Sequence, residues 1–313
     1  MIIYKKAIKN RRRQIPVKKI IKYLLFTFIT SWTFQITGAR DFHLNNTAGM
    51  MSFGYALSSC MFMPTLGALF ARADIRKMGW KPNIEKNIKP ILFAWLMPTV
   101  FGIIGALLYY IVFPDDFDAS GKYLMEADPS AFAELRENGK SYGSYVLKEI
   151  FYSLTSFYTL LAVFMGMGEE VGWRGFLCPQ LKKILGRTKG VVLSGIIHGI
   201  WHFPIMILVG YEYGEDYIGA PLLGLFAFCI FTVSTGIISD CLYEKSHSIW
   251  LPAIFHGSVN SVANPNMLRG SEHFERTIFG PVSVGLISII PMAAFAFAII
   301  YLENRRINLD SEL

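Results

Sequence analysis

The sequence predicts an all-α polytopic membrane protein, with about eight transmembrane helices around a buried polar site. Three observations carry this: apolar runs of membrane-spanning length, a shortage of charge, and an uneven placement of basic residues. Hydrophobic residues make up 53% of the 313-residue chain and charged residues 17%, whereas a soluble domain carries about 25% charged residues. The charges gather at the N-terminus, near 72–89, across 114–149, near 182–189 and at the C-terminus. Between them lie apolar runs of about 20 residues, the length that crosses a hydrocarbon core.

Read in order, the expected spans are 20–38, 48–70, 90–113, 148–178, 190–209, 219–242, 248–264 and 279–302. The first follows a strongly basic segment with no small-residue cleavage site behind it, and reads as a retained helix. The fourth contains charges and reads as a spanning helix with an extension. The seventh is short, and reads as tilted or partial. With the N-terminus in the cytoplasm, 22 of the 30 Lys and Arg residues flank the spans on the cytoplasmic side, at 1–22, 71–89, 179–190, 243–248 and 303–313. Seven lie on the other side, at 39–47, 114–148 and 265–278. This asymmetry predicts a multi-pass cell-membrane protein with both termini cytoplasmic. The chain reads as one integral membrane domain over 1–313, with core helices over 150–263 and an external acidic loop over 114–148. Within that loop, Pro129–Glu137 is expected to form a short helix.

The net charge of +7 does not imply nucleic acid binding, because basic residues border apolar runs and form no patch interleaved with aromatics. Cys60, Cys178, Cys229 and Cys241 lie in or beside apolar segments without a CxxC pair, and read as small apolar residues.

Ionisable residues within a bilayer are costly and face a bundle interior or a water-filled cavity. They occur in three places. Glu169 and Glu170 are adjacent in an apolar helix, and Arg174 shares a face with Glu170 four residues earlier. Glu169 points about 100° away, so one carboxylate can pair with Arg174 while the other acts as a general base. His198 and His202 form an i,i+4 pair, with Gly195 and Gly199 allowing close approach of another helix. His256 and Asn260 form a second such pair, and an Asn amide suits a developing oxyanion. Counted from the helix ends, Glu169, His202 and His256 lie roughly 16, 18 and 12 Å deep at 1.5 Å per residue. Similar depth predicts one shared cavity, expected to open to the cytoplasm or inner leaflet.

At these residues the chain resembles the CPBP family of intramembrane peptidases, which includes CAAX prenyl-protein endopeptidases and bacteriocin-processing, Abi-type proteins. The family's Glu-Glu-x-x-x-Arg corresponds to Glu169–Arg174, and its His-x-x-x-Asn to His256–Asn260. Its Phe-x-x-x-His is matched at His202, with His198 where the family usually has Phe. The resemblance covers about 150–263. It implies an eight-helix fold and an endopeptidase acting on a membrane-associated peptide or protein. In that reading Glu169 activates water with His202, His256 and Asn260 hold the oxyanion, and Arg174 holds Glu170. His198 is a possible accessory ligand or proton carrier. The resemblance leaves the cofactor open: Glu169, His202 and His256 could hold a divalent metal such as zinc, or the reaction could run without one. A non-catalytic role in bacteriocin self-immunity or partner binding is the alternative. No HExxH or Gly-x-Gly-Asp pattern supports another class of intramembrane protease, and the Gly-x-Ser-x-Gly at Gly139–Gly143 lies in the external loop, so it supplies no serine within a span.

Overall fold

The computed structural model describes the backbone of residues 2–270 and 272–312, and the side chains of 17–270 and 272–305. Fourteen α-helices follow in order: α1 (Ile2–Phe42), α2 (Thr47–Cys60), α3 (Met63–Phe70), α4 (Ile84–Val112), α5 (Lys122–Ala127), α6 (Pro129–Glu137), α7 (Tyr142–Thr155), α8 (Phe157–Gly172), α9 (Cys178–Leu185), α10 (Arg187–Trp201), α11 (Phe203–Val209), α12 (Leu222–Ser246), α13 (Trp250–Asn260) and α14 (Ile290–Glu312). No strand occurs among the described residues; a lone antiparallel bridge joins Phe117 to Arg269.

Among the described residues, four stretches are long and apolar enough to cross a membrane: Thr47–Phe70, Ile84–Val112, Arg187–Val209 and Leu222–Ser246. Tyr142–Thr155 and Phe157–Leu185 add a fifth if counted as one span bent by 44°. Large apolar side chains face outward from these helices, including Ile111, Phe157, Tyr158, Phe164 and Leu222. Such a surface suits lipid, where the apolar exterior meets no water. The polytopic all-α architecture is therefore present, but the count of eight full spans is not reached by this criterion. Its clearest shortfall is the expected span 248–264. Helix α13 ends after 11 residues, about 16 Å, half of a core about 30 Å thick. Residues 261–289 then run through two short 3₁₀ turns before α14 begins at Ile290, rather than near 279.

The expected fourth span is also broken. Ser156 is extended, at φ −73° and ψ 160°, and separates α7 from α8. Between α8 and α9, Trp173–Leu177 forms a π-helical turn, a feature often found at functional sites.

Small residues let the inner helices meet. A Cβ on Gly257 of α13 would lie 2.4 Å from the Val163 nitrogen of α8, and one on Gly195 of α10 would lie 2.5 Å from the Val233 Cα of α12. These are backbone contacts, which cannot move aside as a side-chain tip can. Gly172 meets Pro64 of α3 in the same way. Helices α3, α8, α13, α12 and α10 thus form the packed centre that positions the polar residues.

Gly257→Val should drive its side chain into the α8 backbone and destabilise the fold by at least about 1–3 kcal/mol. Thermal unfolding in detergent checks this against Gly54→Ala, where an added Cβ meets open space.

Candidate active site

The polar residues expected to share a cavity are brought together. Glu169 and Glu170 project from the last turn of α8, and Arg174 from the π-helical turn that follows. Glu170 Oε1 accepts from Arg174 Nη1 at 3.2 Å and from His256 Nδ1 at 2.8 Å. Both members of the Glu170–Arg174 pair are almost wholly buried. A Cβ on Gly166 would touch the His256 ring at 3.2 Å, so the lack of a side chain there gives His256 its place.

Glu169 has different partners. Its Oε2 accepts from Trp173 Nε1 at 3.0 Å and lies 3.0 Å from His198 Nε2. Its Oε1 lies 3.9 Å from His256 Nε2, beyond hydrogen-bond reach and about the spacing that a bridging water closes. The two carboxylates therefore divide their work: Glu170 joins α8 to the π turn and α13, and Glu169 joins α8 to α10.

One expectation changes. The residue bound directly to Glu169 on α10 is His198, assigned above only an accessory place. His202 instead donates Nδ1–H to the His198 carbonyl at 3.1 Å, because α10 ends at Trp201 and its last turn has carbonyls to satisfy. The carbonyl of Trp201 accepts from Trp32 Nε1 at 3.2 Å and Gln35 Nε2 at 3.0 Å, docking α1 on the site. Trp173 and Tyr211 are absent from the motif reading. Tyr211 lies nearly parallel to the His202 ring, with centroids 6.5 Å apart. Gln35 was legible in principle: Thr27, Ser31 and Gln35 recur every four residues in an apolar helix, and all three are buried.

Glu169, Glu170, Arg174, His198, His202, His256 and Asn260 all border one cavity of 480 Å³. Its inner end is closed by buried Thr235 and Ser239 of α12. Its other end is bordered by exposed Asn260, Asn264 and Glu212. The cavity thus opens toward the loops 210–221 and 261–289, at the end opposite the basic segments, and not toward the end expected from depth. The reason is the short α13: where a full span would have closed this end, the chain turns into loops.

Glu212 lies beyond the end of α11, exposed at this open end. The protein packed beside it pushes its carboxyl above the ordinary range, with a hydrogen bond from the Tyr211 hydroxyl opposing the shift.

Among the described residues no three His, Cys, Asp or Glu side chains form a ligand group. Of the three residues that could hold a metal, Glu169 has Oε2 bound to Trp173 and His198, and His202 donates Nδ1–H to a carbonyl, which leaves its Nε2 as a lone-pair donor.

The model of the family "Type II CAAX prenyl endopeptidase Rce1-like" matches residues 151–262, the segment from α7 through α13 that builds most of the cavity. A CAAX prenyl protease 2 from Methanococcus maripaludis is 32% identical over 93 residues, which cover 29% of this chain and 34% of that protein. The chain therefore spans about a third of the length of the curated relative it matches. Over residues 151–262 the chain is thus similar to type II CAAX prenyl endopeptidases of the Rce1-like family, and the Glu-Glu-x-x-x-Arg and His-x-x-x-Asn helices of that segment are joined by hydrogen bonds.

Proposed function

We propose that the protein is an intramembrane endopeptidase that hydrolyses a peptide bond of a membrane-associated peptide or protein. The observation that carries this reading is the division of labour at Glu169. Its Oε2 is held by Trp173 and His198, and its Oε1 looks across 3.9 Å to His256 Nε2. That gap accommodates the attacking water. Glu169 takes one proton from the water as its oxygen bonds to the scissile carbonyl carbon, and returns that proton to the leaving amine. His256, doubly protonated with its Nδ1–H on Glu170 so that Nε2–H can donate, and Asn260, one helical turn further along α13, supply N–H donors to the oxyanion. His202 borders the water and substrate space. Arg174 is a positioning residue, acting through Glu170 on His256. The orientation that goes with this reading places both termini in the cytoplasm, as the basic segments favour.

Glu169→Ala should abolish cleavage while the protein stays folded and monodisperse in detergent. A variant that still cuts at the wild-type rate would sink the mechanism. Glu169→Gln should be as inactive, which separates a peptidase from an immunity or docking protein whose cellular effect would survive that change.

Asn260→Ala should lower kcat by about 10²–10³ with KM little changed, the usual cost of one oxyanion donor. Steady-state kinetics on a cleaved peptide provide the check.

Arg174→Leu should destabilise the protein by about 3–5 kcal/mol, because it leaves Glu170 charged and buried without its cation. Chemical unfolding measures this, and the double variant with Glu170→Gln should recover part of the loss.

A further inference from the structure

We propose that the cavity mouth admits a positively charged segment of its peptide from the non-cytoplasmic side, and that Glu212 is the residue that reads this charge. The inference rests on the peptidase reading for what happens after binding, but not for the binding itself.

The side follows from two independent observations. The cavity is closed at Ser239 and open at Asn260, Asn264 and Glu212. The basic segments 71–89, 179–190 and 243–248 meet at the closed end, where Lys182 and Arg187 pair with Asp240 and Glu244 of α12, and this basic excess marks that end as the cytoplasmic one.

The charge preference follows from what surrounds the mouth. The loop 210–221 contains Glu212, Glu215 and Asp216 and no Lys or Arg. The acidic loop is tied to the same rim, through Tyr142 Oη donating to the Met267 carbonyl at 2.5 Å and Arg276 pairing with Asp116 at 3.1 Å. Among the described residues the sole Arg bordering the cavity is Arg174, already paired with Glu170 deep inside. A peptide arriving at this opening meets a negative field.

Glu212 itself is built into place. It occupies the left-handed region at φ +74°, between Gly210 at +61° and Gly214 at +79°. The two glycines adopt this conformation freely, but a side chain there costs about 1–2 kcal/mol, so the fold holds Glu212 against its preference. The loop is closed by Gly214 N–H donating to the Gly210 carbonyl at 2.7 Å, and pinned by Tyr213 Oη donating to the Val284 carbonyl at 2.8 Å. The preceding residue is Tyr211, whose ring lies against His202. Of the three carboxylates bordering the cavity, Glu169 and Glu170 have cationic or imidazole partners, and Glu212 has no such ion pair among the described residues. A second acceptor, Asn266 Oδ1, borders the same cavity and is buried with no donor. A ligand ammonium or guanidinium would give Asn266 Oδ1 the donor it lacks and Glu212, hydrogen-bonded by Tyr211, a charged partner.

The test introduces Ser283→Cys at the cavity wall and compares two thiosulfonate reagents of similar size, trimethylammonium-ethyl and sulfonato-ethyl. The native chain serves as the background. Labelling is measured in intact cells and in inside-out vesicles. Modification should occur from outside, with the cationic reagent favoured beyond its ratio on a free thiol. Glu212→Gln should reduce that preference at least about threefold, as expected for loss of a local field, and Glu212→Lys should invert it. Labelling confined to inside-out vesicles, or a ratio unmoved by both Glu212 variants, overturns the proposal. Synthetic membrane peptides with Lys, Gln or Glu beside the cleavage region form the second arm. Wild type should cut the Lys peptide fastest, and Glu212→Lys the Glu peptide. Cleavage that persists in Glu169→Ala would refute the peptidase reading and leave the labelling result standing.

Discussion

A carboxylate taken out of water costs several kcal/mol unless charge and hydrogen bonds replace its hydration, and this chain buries two of them side by side. Glu170 obtains its compensation from Arg174 and His256, and Glu169 from Trp173 and His198. Those partners come from the π turn, α10 and α13. Satisfying the two charges therefore fixes the relative positions of the elements that form the cavity. The glycine contacts serve the same end: Gly166, Gly257 and Gly195 bring helix backbones close enough for short polar bridges to form. The paired carboxylates thus organise both the packing and the chemistry proposed for it.

Much of this was legible from residue order. The apolar runs, the i,i+4 pairing of Glu170 with Arg174, and the short helix from Pro129 to Glu137 follow from local rules of spacing and capping, and the structure contains each of them. The convergence of three motifs on one cavity was also readable, since buried ionisable groups must find one another. Their individual partners were not. Whether Glu169 meets His198 or His202 depends on where α10 ends and on how α8 rotates against it, and spacing is nearly the same for both histidines.

The direction of the opening was misread for a related reason. Counting residues from a helix end measures depth, but depth says nothing about which end is sealed. That depends on α13 stopping at Asn260 and on the path of 261–289, a stretch of Pro, Gly and Ser whose course is set by contacts distant in sequence. Chain punctuation of this kind marks a break without revealing where the broken chain goes. Likewise Tyr211 and Glu212 belong to a loop with no regular period, and only its fold places them beside His202.

The π turn at Trp173–Leu177 sets the phase of everything after it. On its far side, Lys182 Nζ lies 2.6 Å and 2.8 Å from the two oxygens of Asp240, and Cys178 Sγ lies 3.3 Å from the same carboxylate. Each residue of an α-helix advances about 100°, so excising the bulge's surplus residue would swing α9 by more than a quarter turn. Lys182 would then face away from α12, and Asp240 would lose its cation inside an apolar wall. The length of this segment is in that sense a mechanical setting, linking the clasp between α9 and α12 to the angle at which Arg174 meets Glu170.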